Sequence, residues 1–251
     1  MTVRASAGST LFAAAAITLI AAPSPAQVAG DGFLFHPPPA TWTIRAGAVN
    51  ATGNSEVFSF VTDQLTLDRS DFSSPTFGTS LAFRRSARID MVLDFGYSNV
   101  SHRSEFRDWV DQNDQPIEQQ TSLRRIPITL GWRYYITSRG RAIGQFAWIP
   151  ARRVLYVGLG GGVMHYKFRQ TGDFIDFATL NVFHDEFVSE SWTPVVHAAT
   201  GLDIALGTLI KLNTEARYTW AHGGMSDDFV GFDRIDLSGL SLTAGLTFSL
   251  Y

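Results

Sequence analysis

Eight charges carry most of the chemistry in a chain that is otherwise poor in charge. They are Asp90, Asp94, Arg125, Arg133, Asp203, Lys211, Glu215 and Arg217. Within each segment they are separated by even numbers of residues, so in a β-strand they share one face. Acids and bases mixed on one face can line a proton or ion path. They can also pair into a structural network. Charges taken out of water need partners, and the mixture of signs favours the network.

Three other groupings could carry catalysis or a ligand. His222 with Ser226 and Asp227 has the residue types of a nucleophile, its base and an orienting acid. The intervening Gly223-Gly224 reads as loop, and no motif surrounds it. Gly158-Leu159-Gly160-Gly161-Gly162 invites a dinucleotide reading, which needs Gly-x-Gly-x-x-Gly/Ala and then a helix. Here the last position is Val163, and Met164 to Phe168 is strand-like. Glycines for close packing are the plainer account. Asp227, Asp228, Asp233 and Asp236 could hold calcium, but their spacing is not that of an EF-hand loop. A solvated acidic loop fits them better. The expectation is therefore no cofactor, no metal site and no catalytic role.

The elements that would position the eight charges are strands with one oily face. Trp42 to Asn50 alternates, with Trp42, Ile44, Ala46 and Ala48 on one side. Phe77 to Arg85 and the run Ile89, Met91, Leu93, Phe95, Tyr97 form a hairpin across Ser86-Ala87-Arg88. A fourth strand carries Ile126, Ile128, Leu130, Trp132, Tyr134 and Ile136. Pro127 within it marks a bulge or a rim, because proline cannot donate to a ladder. Val154 to Phe168 is a fifth strand of ambiguous facing. Val196 to Leu206 and Ile210 to Trp220 are the sixth and seventh, joined by a two-residue Gly207-Thr208 turn that would set Asp203 close to Lys211. The eighth is Leu240 to Tyr251. Long connections fall at 51–75, 103–122, 169–193 and 221–234, and 137–153 reads as a connection lying at a membrane interface.

Composition agrees with this pattern. The 251 residues suit one domain. They are 45% hydrophobic and 17% charged, yet no internal run is long enough for a spanning helix. Nineteen Phe, seven Tyr and six Trp suit aromatic girdles. Cysteine is absent, which excludes disulfides and thiolate metal sites. A net charge of −3 argues against nucleic acid as a partner. Arg4, the apolar Leu11 to Ala22 and Ser24-Pro25-Ala26 read as a secretory signal over 1–26. Residues 27–41, with three consecutive prolines, read as a periplasmic leader, and 42–251 as the barrel.

Alternation does not say which face is inside. A secreted lipocalin-type barrel would bury the oily face; a transmembrane barrel turns it to lipid. The charge density of the other face favours the second. The terminal strand adds to it. Thr243, Gly245, Phe248 and Leu250 resemble, in register, the C-terminal insertion signal of bacterial outer-membrane barrels, with Tyr251 one residue past its usual end. The whole pattern resembles the small OmpA/OmpX/OmpW-type outer-membrane β-barrels. The fold class expected is all-β: an eight-stranded antiparallel up-and-down transmembrane β-barrel. The resemblance implies a bacterial outer-membrane location, contact with outer-membrane lipid and lipopolysaccharide, insertion by the barrel-assembly machinery, and a monomer. The function expected is structural or surface-binding through the loops, with the lumen closed by charge. A narrow conduit for small apolar molecules is the alternative, and a lipid-modifying enzyme a weaker one.

Overall fold

The computed structural model describes residues 33–112, 114–145, 147–176, 179 and 181–251, so the expected signal peptide lies outside the described residues. Eight long strands dominate. They are β1 (Ala40–Ala51), β2 (Ser74–Arg84), β3 (Ile89–Val110), β4 (Pro116–Tyr135), β7 (Arg153–Ile175), β8 (Val182–Ala205), β9 (Ile210–Gly223) and β11 (Gly239–Leu250). Shorter elements lie between them: helix α1 (Glu56–Gln64), strands β5 (Gly140–Ile143) and β6 (Ala147–Pro150), and β10 (Ile235–Asp236).

Each long strand pairs antiparallel with its sequence neighbours, and β1 pairs with β11 from Ala40↔Leu250 to Ala51↔Gly239. The ring of pairings β1-β2-β3-β4-β7-β8-β9-β11 thus returns to its start. This is the up-and-down barrel that the alternation implies. Its two ends differ. The terminal rim carries Ala40, Leu250 and the connections 85–88, 136–152 and 206–209. The far rim carries α1, β10 and the extended ends of β3, β4, β7 and β8.

Facing follows the pleat. Outward residues are apolar and exposed, as at Leu159 (68%) and Leu242 (60%), while the residues on either side of them are less exposed. On β4 the outward apolar run from Ile126 to Tyr134 matches the roughly 9–11 residues a tilted strand needs to cross a bilayer. On β7 it runs from Leu155 to Val163 and gives way to His165, Lys167 and Arg169. Exposed Trp42 and Trp132 sit toward the terminal rim and Trp192 and Trp220 toward the far rim, the two levels where barrel aromatics collect. An apolar ring of this size has no place in water, where the largest patch on a monomer is a few hundred Å².

Several expectations are corrected. The stretches 103–122 and 169–193 are mostly sheet, not loops: β3 and β4 run for 22 and 20 residues and β7 and β8 for 23 and 24. They extend well beyond a membrane crossing, with charges outside and Val100, Phe106, Ile117, Leu123, Tyr166 and Phe168 inside. Within 51–75, Val57, Phe58 and Val61 form the buried face of α1. That face fills the far end of the lumen with Phe72, Phe229, Ile235 and Leu237, so the upper barrel has an apolar core. The 137–153 connection contains the β5–β6 hairpin at the terminal rim, held to the leader by the Leu34↔Trp148 bridge.

The strand β7 faces are settled by burial: Val154 and Tyr156 point in, Leu155 and Val157 out. The Gly207-Thr208 turn is longer than expected. Ala205 pairs with Lys211, and the N–H groups of Leu206 and Gly207 both donate to the Ile210 carbonyl. A two-residue turn would have set inward Asp203 against outward Leu212; the observed register sets it opposite inward Asn213. Pro127 makes no bulge. The β3–β4 register is the same on both sides of it, but the ladder is interrupted between Phe95↔Ile128 and Ser98↔Arg125. The Pro127 ring fills the place that a Cβ on Gly96 would take, 2.9 Å from it.

Candidate functional site

The eight charges all face the lumen, seven of them buried and Arg217 13% exposed. Their centre is Asp94 on β3. Arg45, from β1, donates from Nη2 to both of its carboxylate oxygens at 2.7 and 2.6 Å. Arg217, from β9, donates from Nη1 and Nη2 to the same two oxygens at 2.7 and 3.0 Å. Arg217 also holds Glu215 through Nε at 3.0 Å. Glu215 continues the chain to Arg133 on β4 at 3.5 Å and accepts from the Tyr156 hydroxyl at 2.9 Å. Asn213 Nδ2 then donates to Tyr156 at 2.9 Å and to Asp203 at 2.7 Å. The Arg133 guanidinium lies 4.1 Å from the centre of the Tyr156 ring. Strands from opposite walls are thus tied across the lumen by charge-assisted hydrogen bonds, the stronger kind.

A second knot closes on Asp90 near the terminal rim. Arg139 Nη1 lies 2.8 Å from Oδ1 and 2.9 Å from Oδ2. Its other nitrogens donate to the Ser86 and Ala87 carbonyls, and Tyr135 donates to Asp90 at 3.0 Å. The connection before β5 therefore reaches into the barrel mouth. Sequence reasoning missed Arg139, Tyr135, Tyr156 and Asn213, and left Arg45 out of the network. Arg45 was legible, since it lies on the polar face of its strand. Tyr156 sits on the strand whose facing was ambiguous. Arg139 had no periodic signal, because it lies between strands.

Glycines make room for these side chains. A Cβ on Gly201 would lie 2.3 Å from the Tyr156 ring, and one on Gly160 would lie 2.6 Å from His197. The glycine-rich stretch on β7 therefore serves packing, and strand continues through Phe168 without a helix.

Two of the eight are not tied in. The expected Asp203–Lys211 pair does not form within 4.0 Å, because Asn213 directly faces Asp203 and takes its carboxylate. Arg125 has one hydrogen bond, to Ser74 Oγ at 3.4 Å. Counted to the far-rim cap, six cations (Arg45, Arg125, Arg133, Arg139, Lys211, Arg217) share five carboxylates (Asp90, Asp94, Asp203, Glu215, Asp236) among the described residues.

The other groupings come apart. His222 Nε2 lies 3.7 Å from Asp236, while Ser226 donates to the Val188 carbonyl and accepts no contact from His222 among the described residues. Asp228 accepts from the Val188 N–H. Asp236 caps the far rim, accepting from the Asn54 and Ser238 N–H groups at 3.0 and 2.9 Å. Burial pushes its carboxyl up, but these donors and the nearby His222 outweigh burial and hold it below the ordinary range. Asp228 and Asp236 thus work as hydrogen-bond acceptors, and no metal-holding group of three forms among the described residues.

In the terminal strand, Thr243 and Gly245 lie on the lumen side and Leu250 is exposed outward. Phe248 stacks on Trp42 of β1, ring centres 5.9 Å apart. Tyr251 follows the strand and contacts His36.

No family model and no curated protein matches the chain. Among solved structures, the chain is similar to the outer membrane protein OprG of Pseudomonas aeruginosa, with 15% identity over 87% of this chain and 99% of that one, TM-score 0.45. It is similar to Neisserial surface protein A, with 12% identity over 87% and 97%, TM-score 0.44. It is also similar to the Ail protein of Yersinia pestis, with 12% identity over 83% and 99%, TM-score 0.40. The strand ring, the exposed apolar band and the charged interior define the class from this chain itself: a small transmembrane β-barrel of the bacterial outer-membrane type.

Proposed function

We propose that this protein has a structural or surface-binding role in the outer membrane, acting through its far rim, with a lumen closed to ions. The observation that carries the reading is double occlusion. The charged chain from Arg45 to Asp203 crosses the lower lumen, and the α1 core fills the upper one. Four strands continue past the bilayer as a stiff sheet, which suits display better than passage. In this reading residues 1–26 are removed, 27–41 lead into the barrel on the periplasmic side, and the assembly machinery reads Thr243, Gly245, Phe248, Leu250 and Tyr251. The mature barrel is a monomer and is not an enzyme.

The β3–β4 interruption at Gly96 and Pro127 favours the second reading, a narrow conduit for small apolar molecules. Against it, Arg45, Asp94, Arg125 and Arg217 stand in the lining of the cavity beside the break, next to apolar Val49, Met164, Val195 and Leu237, and an apolar solute there would bury those charges further.

Purified protein in planar bilayers is expected to conduct little. A steady, large conductance would overturn the closed lumen. Protease added to intact cells is expected to cut only at far-rim tips, near Asp111 and Asp176. Cleavage near Ser86 or Gly207 would reverse the orientation.

A further inference from the structure

A guanidinium buried in a barrel without a carboxylate beside it is costly. Arg125 is 3% exposed, and among the described residues no carboxylate lies within 4.0 Å of it. Among the described residues its one hydrogen bond is the long one to Ser74, against the five N–H donors of a guanidinium. Asp94, on the neighbouring strand β3, already accepts from Arg45 and Arg217. Asp236 accepts from Asn54 and Ser238.

A second observation falls at the same place. The Thr129 hydroxyl, on the same inward face of β4, is buried and has no hydrogen-bond partner among the described residues. Arg125 and Thr129 both line a cavity of about 70 Å³, with His197 on the facing wall. Holding one water takes only about 10–15 Å³ of such space, so a small anion fits together with some of its water. The cavity adjoins three guanidinium groups, Arg45, Arg125 and Arg217, and one carboxylate, Asp94. Among the described residues counted above, the lumen holds six cations against five carboxylates, with Arg217 only partly buried. Local and overall charge therefore ask for the same thing.

We propose that this cavity binds a small monovalent inorganic anion of halide size, held by the Arg125 guanidinium and the Thr129 hydroxyl. The anion completes the charge balance of the lumen and ties β4 to the Asp94 network. Gluconate serves as the bulky comparison anion.

The test uses the folded barrel in detergent micelles. Bromide soaked into crystals is expected to give an anomalous peak within hydrogen-bond reach of Arg125 and Thr129. The urea midpoint of unfolding should rise when gluconate is replaced by chloride at constant ionic strength. Arg125→Met should abolish that rise, and Thr129→Val should shrink it. Thr129→Val also keeps the test alive if the arginine variant does not fold. A cavity without bromide, together with a midpoint indifferent to the anion, would overturn the proposal. So would an unchanged chloride effect in Thr129→Val and Arg125→Met.

Discussion

Arg217 and Asp94 meet face to face across the barrel, two nitrogens on two oxygens at 2.7 and 3.0 Å, although 123 residues separate them in the chain. Neither belongs to a strand that pairs with the other's. The contact therefore fixes opposite walls, which no backbone ladder can do. Arg45 doubles it from a third strand, so the carboxylate of Asp94 is fully used.

Glu215 is the most consequential single link, since Arg133, Arg217 and Tyr156 all rest on it. Glu215→Ala leaves the buried Arg133 and the partly buried Arg217 short of a partner, and breaking a buried pair costs about 3–5 kcal/mol. Thr214→Ala, on the outer face, should cost far less. Urea unfolding in lipid vesicles, followed by heat-modified mobility on a gel, compares them. Equal midpoints would mean that the network contributes little.

Phe248 lies beside Trp42 at the lipid face, the two rings tilted by 37°. A basic charge at midplane on such a face costs about 2–4 kcal/mol, and an acid or a site nearer the interface less. Phe248→Asp is thus expected to lower barrel levels in the outer membrane mainly by failing assembly. Wild-type levels of the variant would remove the insertion role assigned to this strand.

Phe58 is fully buried and packs on Phe72 and Phe168, with ring centres 4.6 and 6.0 Å away. Truncation of a buried phenylalanine costs about 3–5 kcal/mol. Phe58→Ala should free α1 and make the far rim sensitive to protease, while the charged chain below keeps the barrel non-conducting. A variant that becomes a steady pore would show the apolar core, not the charges, to be the seal.

Asp236 gives the far rim a pH dependence. Its folded carboxyl titrates below the ordinary value, so the unfolded state binds the proton more readily. The stabilisation is complete above about pH 4, the ordinary carboxylate value, and fades as pH falls through the lowered one. Hydrogen exchange at the Asn54 amide should report it, with protection lost on acidification. Asp236→Asn should already show weakened protection at neutral pH; full protection there would sink the capping role.

The strands that cross the bilayer were readable because lipid enforces a strict period of two, as in Ile126 to Tyr134 and in Leu240 to Leu250. The inward charges were readable by subtraction from the same pattern. Where the sheet leaves the bilayer, Arg103, Glu105, Arg169 and Glu186 face water, and their density reads as loop although they stand on strands. Tyr166 and Phe168 carry the opposite, inner face there, a weaker signal against that background. The short α1 declares itself only through Val57, Phe58 and Val61, too few positions for helical periodicity. Pairings set by side chains from connections, such as Arg139 with Asp90, have no periodic trace at all.

Strand β7 follows two contrary substitution rules along one ribbon. Below Met164 its oily side chains, such as Leu159, look outward; above it Tyr166 and Phe168 look inward while Lys167 and Arg169 look out. An aspartate at an odd-numbered position is thus forbidden at Leu159 and ordinary at Arg169. One extra residue inserted at Met164 would reverse every facing on one side of it. It would turn Tyr166 and Phe168 to water and drive Lys167 and Arg169 into the apolar fill. The join between the two halves of this strand should therefore tolerate changes of residue far better than changes of length.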